Sequence, residues 1–262
     1  MRIKEYLTGI WHDRHVLLAL VNSDLSQKYR GSVLGVAWMI LTPLGLALIL
    51  GTVFTVLFAA DPKVFIPRLF IALNTWIFLS GTADGGTSSL IGAEGYLKQT
   101  TVNAQIFPLR MCMVNFTTLF FSILAFFAGY AFLQPGMFGP MMLLVIPGLV
   151  LNVVFAASWA MLAAVLHLYF RDFQPFQNLV IQGLFYATPI IYDASMLAER
   201  GFGLLYQLNP FYYMLDIVVK PLMGIIAPSG RVWVMAFCMT AVLFLASIKV
   251  FMRVKRGIAL RF

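Results

Sequence analysis

Long apolar runs are the feature that most limits what this chain can fold into. A helix needs roughly 20 predominantly apolar residues to cross the hydrocarbon core of a bilayer, and several stretches of the 262-residue chain reach that length. Charged residues make up only 11% of the chain, whereas soluble domains carry about 25%. We therefore predict an all-α integral membrane protein.

The apolar runs between polar breaks predict six transmembrane helices. They cover residues 34–59, 69–91, 108–133, 140–166, 176–193 and 232–252. The fifth is the least regular, because Pro189 and the pair Tyr192-Asp193 end its apolar run early. Residues 194–231 hold proline-interrupted apolar patches that are too short to cross the bilayer, so a pair of re-entrant or interfacial helices is expected there.

The distribution of basic residues predicts the orientation of these spans. With six spans, 13 of the 18 lysines and arginines fall on the side that holds both termini and the 92–107 loop with its downstream edge. The positive-inside rule makes that side cytoplasmic. The predicted organisation is a cytoplasmic segment at 1–33, a six-span domain at 34–252 and a basic cytoplasmic tail at 253–262. Topology and attraction to anionic lipids account for the net charge of +8, so no nucleic acid is expected as a partner.

The segment before the first span has the periodicity of a helix with one apolar face. Its apolar residues recur every three or four positions, at Ile3, Tyr6, Leu7, Ile10, Trp11, Leu17, Leu18 and Val21. This pattern predicts an amphipathic helix lying in the cytoplasmic membrane interface. A helix packed on a soluble partner would carry the same stripe, so that alternative stays open.

Sequence motifs for catalysis and nucleotide binding are absent. The chain contains no GxSxG, HExxH, paired-carboxylate or GxxxxGK[ST] motif. Cys112 and Cys238 lie inside apolar runs without the spacing of metal ligands, so neither a disulfide framework nor a zinc site is indicated. Asp84 is the only acidic candidate within the spans, and a carrier driven by ions would need more such residues. We expect a non-catalytic subunit without a cofactor or metal of its own, whose energy comes from another protein.

The entrance to the first span resembles that of a known family. Residues 24–38 read DLSQKYRGSVLGVAW and are followed by Pro43, a pattern similar to the type-2 ABC exporter permeases of the polysaccharide branch, which handles O-antigen, capsule and teichoic acid. We expect Gly31 and Gly35 to permit close helix approach and Trp38 to lie near the interface. Further similar motifs follow in the family's order along the chain: EGYLK at 94–98, IFPLR at 106–110, RD at 171–172, TPIIY at 188–192 and NPF at 209–211.

The resemblance implies partners and contact residues. Two copies of this chain would form a homodimer and pair with two copies of a cytoplasmic ATPase, which binds ATP and magnesium. The 92–107 loop resembles the family's coupling helix, although relatives often carry Asn at the position of Glu94. The implied ATPase contacts are Glu94, Tyr96, Leu97, Lys98, Arg171 and Asp172, and the implied cytoplasmic gate residues are Tyr29, Arg30 and Trp38. A local ion pair that caps the fourth span is the alternative for Arg171 and Asp172.

Aromatic residues are the candidates for contact with substrate, since sugar rings stack their apolar faces on aromatic planes. The candidates for lining a channel are Phe54, Phe58, Trp76, Phe78, Tyr186 and Tyr192. Packing or lipid-facing roles are the alternative for each of them. The expected function is export of a lipid-linked polysaccharide of the O-antigen type across the bacterial inner membrane. Export of a drug or small lipid, and a polytopic membrane enzyme of glycan assembly, are the alternatives.

Overall fold

Helices are the only regular elements in the part of the chain that the computed structural model describes, residues 3–254 and 258. In chain order they are α1 (Ile3–His12), α2 (Arg14–Lys28), α3 (Trp38–Phe58), α4 (Pro62–Ser89), α5 (Glu94–Gln99), α6 (Ile106–Leu133), α7 (Val145–Tyr169), α8 (Phe173–Ala187), α9 (Ala194–Glu199), α10 (Gly203–Gln207), α11 (Pro210–Met223) and α12 (Gly230–Val254). The all-helical class is confirmed. Most of the predicted basic tail, at 255–257 and 259–262, lies outside the described residues.

Five helical stretches in the described part are long and apolar enough to cross a membrane. They are Gly35–Phe58, Pro62–Ser89, Ile106–Leu133, Pro140–Tyr169 and Gly230–Val254. They correspond to the predicted first, second, third, fourth and sixth spans. The second begins seven residues earlier than predicted, because Asp61 caps it by accepting a hydrogen bond from the Lys63 backbone N–H at 2.9 Å, with Pro62 in the first helical position.

The predicted fifth span differs from the prediction in length. Helix α8 holds 15 residues, which is about 22 Å and short of a hydrocarbon core of about 30 Å. It ends at Ala187 because Thr188 precedes Pro189, and a residue before proline is driven from the helical to the extended region. Thr188 accordingly has a ψ of 130°. The prediction that one helix over 176–193 forms the fifth of six spans is therefore not confirmed.

The segment after α8 folds into three short helices, of which α11 is deeply packed. Ten of its 14 residues are buried. It begins at Asn209, whose side chain accepts a hydrogen bond from the Phe211 backbone N–H at 2.9 Å and donates to Thr188 Oγ1 at 2.6 Å. Helix α11 is thereby joined to the chain that follows α8.

Helix α11 also contacts the ends of the long helices on one side of the bundle. Asn152 of α7 donates to the Met214 carbonyl, and Tyr130 of α6 donates to the Met223 carbonyl, each at 3.0 Å. These contacts involve the start of α7 and the end of α6. With 14 residues, α11 is about 21 Å long, which is short of a hydrocarbon core of about 30 Å.

Gly148 sets the distance between α7 and α11. A Cβ at this position would lie 2.4 Å from the Ile217 carbonyl oxygen. We expect Gly148→Ala to force α11 outward and to lower the free energy of unfolding by about 1–3 kcal/mol. Thermal unfolding in detergent checks this. Gly129→Ala in α6 is the matched control, since a Cβ there meets nothing within 4 Å and alanine favours a helix; equal losses in both variants would contradict the prediction.

A second buried cluster lies at the other end of the bundle. It includes Leu90 after α4, Leu168 of α7 and Phe251 of α12, with Ile10 of α1 and Leu97 of α5 packed against it. The ends of three long helices, the first N-terminal helix and the 92–107 loop therefore meet at one end. The N-terminal segment and the loop share one end of the bundle.

The turn between α2 and α3 corrects one expectation. Gly31 and Gly35 have φ angles of +79° and +48°, a region that favours glycine. A Cβ at either position would meet nothing within 4 Å. Within this chain these glycines therefore shape the turn, and the close helix approach expected of them is not observed.

Candidate functional site

The N-terminal segment consists of two helices that break at Asp13, where one amphipathic helix was predicted. The Asp13 carboxylate is buried and accepts hydrogen bonds from the Asn103 backbone N–H at 3.0 Å and from Asn103 Nδ2 at 2.7 Å. His12 Nδ1 lies 2.8 Å from the same carboxylate. A Cβ on Gly9 would lie 3.1 Å from Gln105 Nε2, so α1 runs close to the side chains of Asn103 and Gln105. The segment therefore docks on the 92–107 loop.

The pKa of Asp13 gives this docking a dependence on pH. Burial raises the pKa of the carboxyl, but the hydrogen bonds from Asn103 and His12 outweigh it, so the pKa is lowered overall. A lowered pKa in the folded state contributes stability above the unfolded pKa, near 3.9, that is lost as the pH falls through the folded value. We expect Asp13→Asn to lower the thermal midpoint at pH 7 and to differ less from the unmodified chain at pH 3. An equal difference at both pH values would contradict this account.

A second link joins α2 to the start of α6. Arg110 donates from Nε and Nη2 to the two carboxylate oxygens of Asp24, a two-pronged arrangement. The two side chains are only 23% and 18% exposed. Because the residues lie 86 positions apart in sequence, this pair fixes the N-terminal segment to the helix that follows the 92–107 loop.

Helix α5, in the middle of that loop, presents a small exposed surface. Lys98 and Glu94 form an ion pair at 2.6 Å, with both side chains about half exposed. Tyr96 is 50% exposed, and its ring centroid lies 6.1 Å from that of Phe107. Leu97 instead packs inward on the second buried cluster. The helix is thus anchored by one face and exposes the other.

The other residues predicted for the coupling and gate regions are mostly exposed. Arg171 and Asp172 are exposed between α7 and α8, and among the described residues no ion pair joins them. Tyr29 and Arg30 lie at the end of α2. Trp38 begins α3 and donates from Nε1 to Ser32 Oγ at 3.1 Å. These residues lie at the ends of different helices, namely α2, α3, α7 and α8.

An open groove of about 490 Å³ runs between α4 and α8. Its lining combines aromatic rings with hydrogen-bonding groups: Trp76, Ser80, Gly81, Asp84, Asn178, Ile181, Gln182, Phe185 and Tyr186. On α4 the lining residues Trp76, Ser80 and Asp84 are four apart, which places them on one helix face. Gln174 Nε2 lies 3.5 Å from Asp84 Oδ1 across the groove. Asp84 therefore belongs to a polar vestibule.

The six predicted channel aromatics separate into three locations. Trp76 and Tyr186 line the groove. Phe58 and Tyr192 line a smaller cavity of about 200 Å³ near the start of α4, and Phe54 stacks on Phe58 with centroids 5.5 Å apart. Phe78 is 1% exposed and packs on Phe116 of α6. Since Phe78 is two residues from Trp76, it points to the opposite side of α4, and we assign it to packing.

The sequence analysis did not identify several residues of the groove, although the sequence of α8 contains a pattern that indicates them. Gln174, Asn178 and Gln182 recur at four-residue spacing, and Tyr186 continues the row. Such a row is one face of a helix, and polar amides along an apolar segment indicate a water-facing or substrate-facing side. Asp13, Asp24 and Asn103 were also missed, because their partners are distant in sequence.

A family model described as ABC-2 type transporter matches residues 15–223. The match covers most of the chain, including α3 to α11. The chain belongs to the ABC-2 type transporter family. Three curated relatives carry the name O-antigen export system permease protein RfbA. One, from Myxococcus xanthus, is 28% identical over 204 residues, which cover 77% of each chain. Two from Klebsiella pneumoniae are 28% identical over 204 residues (76% of this chain and 77% of the relative) and 27% identical over 223 residues (82% of each).

Membership in the ABC-2 family gives the site its context. The chain is the membrane subunit of a transporter, a multi-pass protein of the inner membrane, and it works with an ABC ATPase subunit. The exposed face of α5 and the docked pair α1–α2 lie at one end of this permease, and the groove between α4 and α8 opens along its side.

Proposed function

We propose that this ABC-2 permease exports a lipid-linked polysaccharide of the O-antigen type across the inner membrane. The observation that carries the proposal is the groove between α4 and α8. Tyr186, which is 69% exposed, offers a ring plane on which a sugar can stack, while the largely buried Trp76 forms part of the groove wall. Ser80, Asn178 and Gln182 offer hydrogen-bonding groups beside them. A groove that binds sugars by stacking and contains few charged side chains suits a polymer that slides past it. The names of the relatives point to the same substrate class.

The proposed assembly contains two copies of this chain and two copies of the ATPase. In a single copy the groove is open along one side, where Tyr186 is 69% exposed and Phe176 of α8 is 62% exposed. A second copy placed against this side would close the groove into a channel. Pairing of the two open faces would also remove these aromatic side chains from lipid.

The proposed ATPase contact surface is the exposed side of α5 with the neighbouring helix ends. Tyr96 and the pair Glu94–Lys98 are accessible there, and Arg171 and Asp172 are exposed nearby in the fold. Leu97 acts as the anchor beneath them. We place this surface and both termini in the cytoplasm, in agreement with the excess of basic residues on that side. ATP and magnesium would bind only the partner.

Reconstitution tests the proposal directly. Vesicles that hold this chain with its ATPase should move a lipid-linked glycan across the bilayer when ATP is supplied, and should not move it without ATP or without the ATPase. Protection of the glycan from an added glycosidase measures the movement. Conversion of the glycan by this chain alone would indicate a membrane enzyme, and ATP-driven movement of hydrophobic drugs but not of glycan would indicate a drug exporter.

A further inference from the structure

A charged cavity of about 320 Å³ lies at the bundle end opposite to α5. It is enclosed by α4, by α11 with the residues after it, and by the chain that follows α8. Four charged side chains line it: Arg68, Asp193, Asp216 and Lys220. The rest of the lining is mostly apolar: Val64, Ala72, Leu215, Val219, Met223, Ile225 and Ile226. A cavity whose lining is partly charged and partly apolar fits a ligand that has a charged head and an apolar chain.

The four charges form two ion pairs that differ in exposure. Lys220 and Asp216 pair at 2.7 Å within α11, and the Asp216 side chain is only 11% exposed. Arg68 and Asp193 pair at 2.6 Å, but the Asp193 side chain is 65% exposed. An exposed pair of this kind contributes about 0–1 kcal/mol, so a competing anion can displace Asp193 at little cost. The buried Asp216 is held by Lys220 and also interacts electrostatically with Arg68.

Displacement of Asp193 would leave a cavity suited to an anion. Two cations, Arg68 and Lys220, would then face one carboxylate, that of Asp216. Arginine binds phosphate oxygens through a planar fork of donors, and lysine adds a compact positive charge. The apolar lining beside them would accept the first carbons of an acyl or isoprenoid chain.

We propose that this cavity binds the phosphate of a lipid headgroup, with Arg68 and Lys220 as its cationic contacts and Asp193 as the group it displaces. The phosphate has two possible sources, the lipid carrier of the exported glycan or an ordinary phospholipid. The first source rests on the proposed function and the second does not. Because Asp193 lies in the segment between α8 and α9, ligand binding releases that segment from α4.

Equilibrium binding of a short isoprenoid diphosphate tests the site. Labelled farnesyl diphosphate is added to the purified complex of this permease and its ATPase in a neutral detergent. We expect Arg68→Gln and Lys220→Gln each to weaken binding about tenfold, since each removes a charge-assisted contact. Asp193→Asn should tighten binding by up to about fivefold, because it removes the competing carboxylate. A tighter complex cannot result from loss of folding.

The matched control is Lys63→Gln, which removes an exposed cation from α4 outside the cavity and should leave binding unchanged. Equal binding of farnesol, which lacks the phosphates, would overturn the proposal, as would unaltered binding in both Arg68→Gln and Lys220→Gln. A short-chain phosphatidylglycerol forms the second arm, and preference for it over farnesyl diphosphate identifies a phospholipid as the source. Binding is measured without transport, so a complex that binds here but exports no glycan refutes only the proposed function.

Discussion

Replacing Arg110 by Gln should nearly abolish export while the chain still inserts in the membrane. Arg110 and Asp24 form a two-pronged pair that is largely shielded from solvent. Loss of one partner removes charge-assisted hydrogen bonds of about 1.5–3 kcal/mol and leaves the other charge unpaired. Since about 1.4 kcal/mol is a factor of ten in an equilibrium constant, the equilibrium constant for docking of α2 should fall at least about tenfold. Asp24→Asn should act in the same way.

The physical reason for the effect on export is the position of the pair. It joins α2 to α6 directly after the loop that carries α5. With the pair intact, a displacement of α5 by the ATPase moves the N-terminal helices and the long helix α6 together. Without the pair, the ATPase should continue to hydrolyse ATP, but the displacement of α5 would not be transmitted to the membrane helices. Exported glycan and ATP hydrolysis, both normalised to the amount of inserted permease, measure the two quantities.

Two further variants make this prediction specific. Lys28→Gln also removes a positive charge, from the exposed end of α2, and should leave export near normal. The double exchange Asp24→Arg with Arg110→Asp restores opposite charges at the same positions and should recover part of the export. A double exchange as inactive as the single variants, or normal export in Arg110→Gln, would show that this pair does not transmit movement.

The spans were predictable because the signal for a membrane helix is local. Length and apolarity alone placed the helices that begin at Gly35, Ile106, Pro140 and Gly230 within a few residues. The short α8 needed one further local rule, the exclusion of helical geometry from the residue before Pro189. Where a rule depends on the residues of one segment, the sequence was sufficient to apply it.

The links between segments were not predictable from local patterns. Asp13 and Asn103 are 90 residues apart, and Asp24 and Arg110 are 86 apart. In the sequence nothing local marks any of these four residues as a partner of another. Only the packing of α1 and α2 on the start of α6 makes them partners.

The groove was predictable in part. Helix geometry separates Trp76 from Phe78 by about 200° around α4, so only one of the two residues can face α8. Which of them does so depends on how α4 is rotated against α6 and α7, and a single apolar helix gives little indication of that rotation. The polar row on α8 was a usable signal, since amides at four-residue spacing mark one face of an otherwise apolar helix.

A bulky side chain at Ser80 should block the proposed path through this groove. Ser80 lies between Trp76 and Asp84 on the lining face of α4, and its hydroxyl donates to the Trp76 carbonyl at 2.8 Å. In Ser80→Phe the ring has no room on the packed side of α4 and must project into the groove. We expect exported glycan to fall to the level of a strain that lacks the permease, while ATP hydrolysis continues.

The control for Ser80→Phe must add the same volume away from the groove. Val242→Phe does so, because Val242 on α12 is 69% exposed and does not line the groove. Its export should stay near normal, and both variants should insert to the same level.

A third variant, Ser80→Ala, removes the hydroxyl without filling the groove and should retain export. If Ser80→Ala lost as much export as Ser80→Phe, export would depend on the Ser80 hydroxyl rather than on the open space of the groove. Unimpaired export in Ser80→Phe would place the path of the polymer elsewhere, because a sliding chain of sugars cannot pass a groove that an aromatic ring fills.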